Sequence, residues 1–251
     1  MTDADPRSDH ALAAEAASEA GRLLVALRAE LEAEGTWPPE VGDEGDRQAH
    51  RLLMSILAEA RPDDAVLSEE GRDDLGRLDV SRVWIVDPLD GTREYTEPGR
   101  TDWAVHVALT VDGEPVAGAV ALPAIDLTLA TEPAPAKPEP WDGPPRIVVS
   151  RSRPPQAALR IRQALDGQLL PLGSAGAKAM AVVLGEADVY AHAGGQYEWD
   201  SCAPAAVAAA AGLHVSRLDG SPLRYNRADP WLPDLLICRP ELADAVLAAA
   251  G

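Results

Sequence analysis

The chain has 251 residues, a formal net charge of −19 and a sequence pI near 4.5. A surface this acidic repels polyanions and excludes general nucleic-acid binding. Hydrophobic residues make up 46% of the chain, enough for a sizeable core, but Phe is absent, so Ala, Val and Leu must fill it.

Cys202 and Cys238 are the two cysteines, too few for a disulfide framework. The polar, acidic start has no basic-then-apolar leader, and no apolar run reaches spanning length. The expectation is a soluble, cytoplasmic protein with no membrane or nucleic-acid partner.

In chain order, residues 1–9 read as a short disordered lead-in. Residues 11–34 are strong helix formers, with Leu23, Leu24, Leu27 and Leu31 near helical spacing. Gly35-Thr36-Trp37-Pro38-Pro39 reads as a helix stop. A second helix is predicted after Asp43, carrying Leu52, Leu53, Ile56 and Leu57. Asp46 then falls in its first turn, where a carboxylate suits the helix end. Residues 65–67 predict a short strand, followed by Ser68-Glu69-Glu70-Gly71.

Next comes Arg82-Val83-Trp84-Ile85-Val86-Asp87-Pro88-Leu89-Asp90-Gly91-Thr92. Residues 83–86 predict a buried strand. Pro88 lacks an N–H and is expected to end it, and Gly91 permits backbone shapes that other residues resist. Asp87 and Asp90 are thus expected on one tight turn. Two carboxylates held close repel each other unless one is protonated or a cation lies between them. Mg²⁺ suits such a site, because it prefers oxygen ligands and shares its shell with phosphates. The Leu89 carbonyl offers a further ligand, and Gly91 and Thr92 offer free N–H groups to an anion. A plain strand-turn with solvated acids fits the same letters, since Asp-Pro and Asp-Gly are common turn dipeptides. A second strand ending in acids, at Glu69, less than twenty residues upstream, favours the metal reading.

Residues 103–110, 116–122 and 127–130 predict strands, with Asp112-Gly113 as a hairpin turn. This half reads as helices beside a largely antiparallel sheet. The Pro-rich residues 131–140 form a surface excursion or a boundary. Beyond it, strand and helix alternate: 147–150, 156–165, 169–172, 175–184, 188–191, a helix from about Asp200, then strand 234–238 and helix 241–250. The expected division is an α+β domain over 1–145, carrying most metal ligands, and an α/β domain over 146–251, contributing Asp200.

In the second half, Asp200 opens an Ala-rich helix, where it caps the helix, faces an ion in the cleft, or does both. Gly173-Ser174-Ala175-Gly176-Ala177-Lys178 lacks P-loop spacing; Ser174 suits a helix cap, and Lys178 stands one turn further on, in reach of an anion. Arg151 and Arg153 form a small basic patch in an acidic chain, or a solvated loop. His106, His192 and His214 are scattered and read as structural, not as a zinc set. G-x-S-x-G is absent.

Leu67-Ser68-Glu69-Glu70, the 84–92 motif and Trp199-Asp200-Ser201-Cys202-Ala203 together resemble the inositol monophosphatase superfamily along nearly the whole chain. Gly91-Thr92-Arg93-Glu94-Tyr95 and Gly173-Ser174 through Lys178 look most like its CysQ branch, in its actinobacterial form. The resemblance implies an α/β fold of layered αβαβα sandwich type. It also implies hydrolysis of 3′-phosphoadenosine 5′-phosphate (PAP) to AMP and phosphate, dependent on two or three Mg²⁺ ions and inhibited by Li⁺. By position, Glu69, Asp87, Asp90, Asp200 and the Leu89 carbonyl would hold metal. Leu89, Asp90, Gly91, Thr92 and Asp200 would contact the substrate, and Arg151, Arg153, Ser174 and Lys178 are candidates for its second phosphate. Glu69, Asp46, Asp90 and Thr92 would be catalytic, with Thr92 orienting the attacking water and Asp46 supporting it. A homodimer is a further expectation from the family. The Val-Thr-x-x-Asp motif frequent in the family is here Gly42-Asp43-Glu44-Gly45-Asp46, without the Thr, and Tyr95 stands where Phe is usual. Inositol monophosphate and fructose 1,6-bisphosphate are rival substrates, and a non-catalytic Mg²⁺- or nucleotide-binding regulator is the rival from another class.

Overall fold

The computed structural model describes residues 7–251. Most of the lead-in expected over 1–9 lies outside these residues. Within them, Ser8 already caps the first helix, α1 (Asp9–Ala33), its Oγ accepting from the Ala11 N–H.

Helix α2 (Pro38–Ala60) starts earlier than the sequence suggested. Pro38 and Pro39, read as a stop, occupy its first two positions, where a missing N–H removes no helical bond. Asp46 therefore lies more than two turns inside α2, not in its first turn. Two glycines let α2 approach closely. A β-carbon on Gly42 would lie 2.8 Å from Thr92 Cγ2, and one on Gly45 would lie 2.9 Å from the Tyr95 ring.

The first sheet holds β1 (Ala65–Ser68), β2 (Arg82–Asp90), β3 (Ala104–Val111), β4 (Glu114–Leu122) and β5 (Leu127–Ala130), in that spatial order. β1 and β2 are parallel, and the remaining pairs are antiparallel. β2 does not end before Pro88 as expected. It runs on to Asp90 through an irregularity in which Asp87 faces His106 and Asp90 faces Ala104 on β3. Three steps along β2 thus match two along β3. In a regular strand residues three apart point to opposite faces, and the extra residue turns Asp87 and Asp90 to one side.

The second sheet holds β6 (Arg146–Ser150), β7 (Gln168–Leu172), β8 (Val189–Tyr197), β9 (His214–Ser216) and β10 (Trp231–Cys238), ordered β7-β6-β8-β10-β9. β6 is parallel to β7 and β8, and β10 is antiparallel to β8 and β9. β9 was not anticipated, because its three residues are too few to show a period. The helices of this half are α4 (Gln156–Ala164), α5 (Ala175–Val183), α6 (Glu198–Ala210) and α7 (Ala243–Ala250); α3 (Thr92–Thr96) is a single turn after β2.

Three buried clusters define the layers. α1 and α2 cover the outer face of the first sheet, burying Leu12, Leu24, Leu53 and Leu57 against Trp84 and Val107. α5 and α6 lie between the sheets, where Met180, Val182, Cys202 and Val207 meet Ile85, Val120, Tyr190 and Leu235. α4 and α7 cover the outer face of the second sheet through Ile161 and Val246. This is the expected αβαβα sandwich. The Ala-rich α6 suits its place, since small side chains let a helix sit close between two sheets. Cys202 and Cys238 are both buried and free. Among the described residues, no helix is long and apolar enough to cross a membrane.

Candidate active site

Three chain segments converge at the C-terminal ends of β1 and β2. Oxygens of Asp87, Asp90 and Asp200 all lie within 4.8 Å of one another. Asp87 and Asp90 are brought to one side by the irregular end of β2. Asp200 comes from the first turn of α6, where its Oδ2 also accepts from the Tyr197 N–H at 2.7 Å. The sequence left capping and site-facing open as roles for Asp200, and it has both placements. Glu69 joins from just past the end of β1, its N–H donating to Val86 O at 3.3 Å and its carboxyl interacting with Asp87.

The electrostatics follow from this crowding. Burial, then the charges of Glu69, Asp90 and Asp200, push Asp87 well above the usual carboxylate range. Burial, then Asp90, raises Asp200 to about 7. Burial raises Glu69 as well, opposed by its contact with Asp87 and reinforced by the charges of Asp90 and Glu70. Burial would raise Asp90 too, but His106 and Lys178 hold it below its ordinary value.

Asp90 is gripped from the other half of the chain. Its Oδ1 accepts from Ala175 N at 3.1 Å and its Oδ2 from Gly176 N at 2.6 Å, both in the first turn of α5. His106, on β3, is fully buried, with Nδ1 on Trp199 O at 3.0 Å and Nε2 3.2 Å from Asp90 Oδ2. The second contact is off the line of a hydrogen bond, so it is an electrostatic contact. Sequence reasoning set His106 aside as structural. The available signal was a lone ring in an otherwise apolar strand paired with the two-acid strand.

Thr92 begins α3 behind Gly91, whose φ of 87° is the left-handed conformation glycine tolerates. The Thr92 hydroxyl lies 3.2 Å from Leu89 O and 3.4 Å from Asp46 Oδ2. Although the usual Thr of the family motif is absent, Asp46 thus reaches Thr92 from within α2. Burial, then Glu70 and Glu69, raises Asp46 to about 8.

A cavity of about 270 Å³ opens beside the acids, lined by Asp90, Gly91, Ser174, Lys178, Gln196 and Asp200 among others. The Ser174 hydroxyl caps α5, accepting from Ala177 N. Lys178, 5% exposed, donates to Ser174 O at 2.7 Å and also to Gly173 O. Burial lowers its pKa, opposed by Asp90 and Glu94. The arginines are not brought to the cavity wall. Arg151 pairs with Glu94 at 2.7 Å and Glu97 at 2.6 Å, and Arg153 is exposed. His192, read from sequence as structural, and Gln196, which sequence reasoning did not single out, also line the cavity.

Hard carboxylate oxygens, crowded enough to raise their own proton affinity, form a donor set that fits a divalent cation. Without a cation, Asp200 and Asp46 titrate at about 7 and about 8, against 3.8 for an ordinary aspartate. The folded form then holds extra protons, so their contribution to stability is full below the unfolded value and is lost as pH climbs through 7 to 8. A bound cation replaces the protons. The rise in melting temperature caused by Mg²⁺ is therefore expected to be small near pH ~5.5 and to grow toward pH ~8.5. A rise equally large at both ends would contradict this electrostatic picture.

The layered sandwich brings carboxylates from the ends of β1 and β2 and the start of α6 together as an oxygen donor set that fits a hard divalent cation. The chain belongs to the inositol monophosphatase family, a family of phosphoric monoester hydrolases, whose model matches residues 6–139 and 144–250. It is 55% identical over 239 residues to the 3′-phosphoadenosine 5′-phosphate phosphatase of Mycobacterium tuberculosis, covering 92% of this chain and 89% of the relative. It is 33% identical over 222 residues to the 3′(2′),5′-bisphosphate nucleotidase CysQ of Escherichia coli, covering 79% and 88%. The crystal structure of CysQ from Bacteroides thetaiotaomicron superposes with a TM-score of 0.77 at 27% identity, covering 91% of this chain and 96% of that one.

Proposed function

We propose that this protein is a Mg²⁺-dependent phosphomonoesterase that hydrolyses 3′-phosphoadenosine 5′-phosphate to AMP and phosphate. The observation that carries the reading is the meeting of Asp87, Asp90 and Asp200, with Glu69 interacting with Asp87, beside a cavity that also holds Lys178. The full-length similarity to PAP phosphatases supports the choice of substrate.

Glu69, Asp87, Asp90, Asp200 and the Leu89 carbonyl would hold two or three Mg²⁺ ions. When bound, the ions would supply positive charge to the phosphate oxygens and make a water more acidic. They would also reverse the repulsion that a chain of net charge −19 exerts on a phosphate. The protein's own groups do the positioning. The Thr92 hydroxyl, between Asp46 and Leu89 O, orients the attacking water, and Asp46, with its raised proton affinity, accepts the proton the water gives up. The free N–H groups of Gly91 and Thr92 face the transferred phosphate. Lys178 turns from the Gly173 and Ser174 carbonyls to meet the second phosphate. In the absence of substrate Arg151 braces Glu94 and Glu97. The proposed partner is a small phosphorylated metabolite, and the proposed location is the cytoplasm.

The test is phosphate release from PAP, inositol monophosphate and fructose 1,6-bisphosphate in Mg²⁺, with and without Li⁺. The expected result is the highest kcat/KM for PAP and its suppression by Li⁺. A preference for either other substrate overturns the assignment.

A further inference from the structure

Gln196 is a polar group in the cavity wall that the reaction described above does not use. It is 7% exposed on β8 and lines the cavity with Lys178, Tyr190 and Asp200. Its Nε2 donates to the Tyr190 hydroxyl at 3.0 Å, while its Oε1 is buried and has no hydrogen-bond partner. A buried acceptor without a donor is destabilising, and an apolar side chain of similar length would remove the problem. Turning the amide over exchanges its two ends but still leaves one of them unmet. The group is also held in place. Tyr190 is fully buried, its ring lies 5.5 Å from Lys178 Nζ, and its hydroxyl fixes the amide. A third acid lining the cavity besides Asp90 and Asp200, Glu94, accepts from Arg151 through Oε1. Lys178 and the Gln196 amide thus share one cavity wall, the amide oxygen lying buried beneath its surface and unmet.

We propose that Gln196 is a specificity-determining residue, its Oε1 accepting a hydrogen bond from an O–H or N–H on the leaving half of the substrate. The enzyme then selects phosphomonoesters whose leaving half carries two features: a second anion for Lys178 and a neutral hydrogen-bond donor for Gln196. This rests on the phosphomonoesterase reading above. A site with a buried polar group waiting for its partner rejects an analogue that lacks the partner, because the group then stays unmet.

The test compares kcat/KM for PAP with that for p-nitrophenyl phosphate, whose leaving half has neither feature. In Gln196→Met, kcat/KM for PAP falls about tenfold or more, the scale of one lost hydrogen bond in a dry site, while p-nitrophenyl phosphate stays within about twofold. Tyr190→Phe, which frees the amide but keeps the ring, shifts the ratio the same way by less. Equal losses on both substrates would show a merely structural role, and no loss on either would show an idle one; each overturns the proposal. A wild-type enzyme that prefers another phosphomonoester refutes the PAP reading alone. The same ratio, measured with the preferred substrate, then still decides the role of Gln196.

Discussion

Asp90→Asn leaves a folded protein that hydrolyses phosphomonoesters at about one-thousandth of the parent kcat/KM or less, the scale of one lost electrostatic group at a reacting centre. Asn keeps the shape, so its single amide oxygen still accepts from Ala175 N or Gly176 N. What it loses is charge. Asp90 is the one acid of the cluster whose proton affinity is lowered, because His106 and Lys178 flank it. It is thus the acid already ionised and ready to hold a hard cation, whereas Asp87 and Asp200 must first give up a proton. The measurement is kcat/KM beside a thermal melt. Near-parental turnover would remove Asp90 from the site, and a collapsed melt would mean its role is to hold the two halves together.

Gly176→Ala is expected to lower the melting temperature by about 5 °C and to reduce turnover at temperatures where the variant is still folded. Elsewhere in a helix this change adds stability, up to about 1 kcal/mol. Here the added carbon would stand 2.2 Å from His106 Nε2 and 2.9 Å from Ala104 Cβ. His106 cannot swing aside freely, because its Nδ1 is held by Trp199 O and the whole ring is buried. Either α5 retreats, lengthening the 2.6 Å contact from Gly176 N to Asp90, or the ring is driven toward Asp90. Both outcomes disturb the same carboxylate. Differential scanning calorimetry and a turnover assay check the two halves of the expectation. An unchanged melt with unchanged turnover would show that the layers part without consequence.

The acids were legible because their strands carry strong local signals. The run before Asp87 is continuously apolar, and the helix after Asp200 is almost all small residues, so each carboxylate marks the end of a well-defined element. The change from antiparallel strands to strand–helix alternation marked an α+β half and an α/β half; their stacking into a sandwich was legible only through the resemblance to the inositol monophosphatase superfamily. Features that depend on contacts across the chain were hidden. Nothing local to Pro38 distinguishes a helix stop from a helix start; the decision lies in α2 packing on α3 through Gly42 and Gly45. Pro88 would normally end a ladder, but the extra residue opposite β3 lets the strand continue. His106 and Gln196 carry no motif, and their meaning comes from Asp90 and Lys178, which lie far off in sequence. The pairing of Arg151 with Glu94 and Glu97 was hidden too, because their proximity depends on how α3 meets the end of β6.

The most direct measurement is phosphate release from PAP by the wild-type enzyme as Mg²⁺ is removed by a chelator and then restored. Release should stop with the chelator and return on titration of Mg²⁺. Unchanged release in the metal-free protein would contradict the idea that acids from β1, β2 and α6 meet in order to share cations.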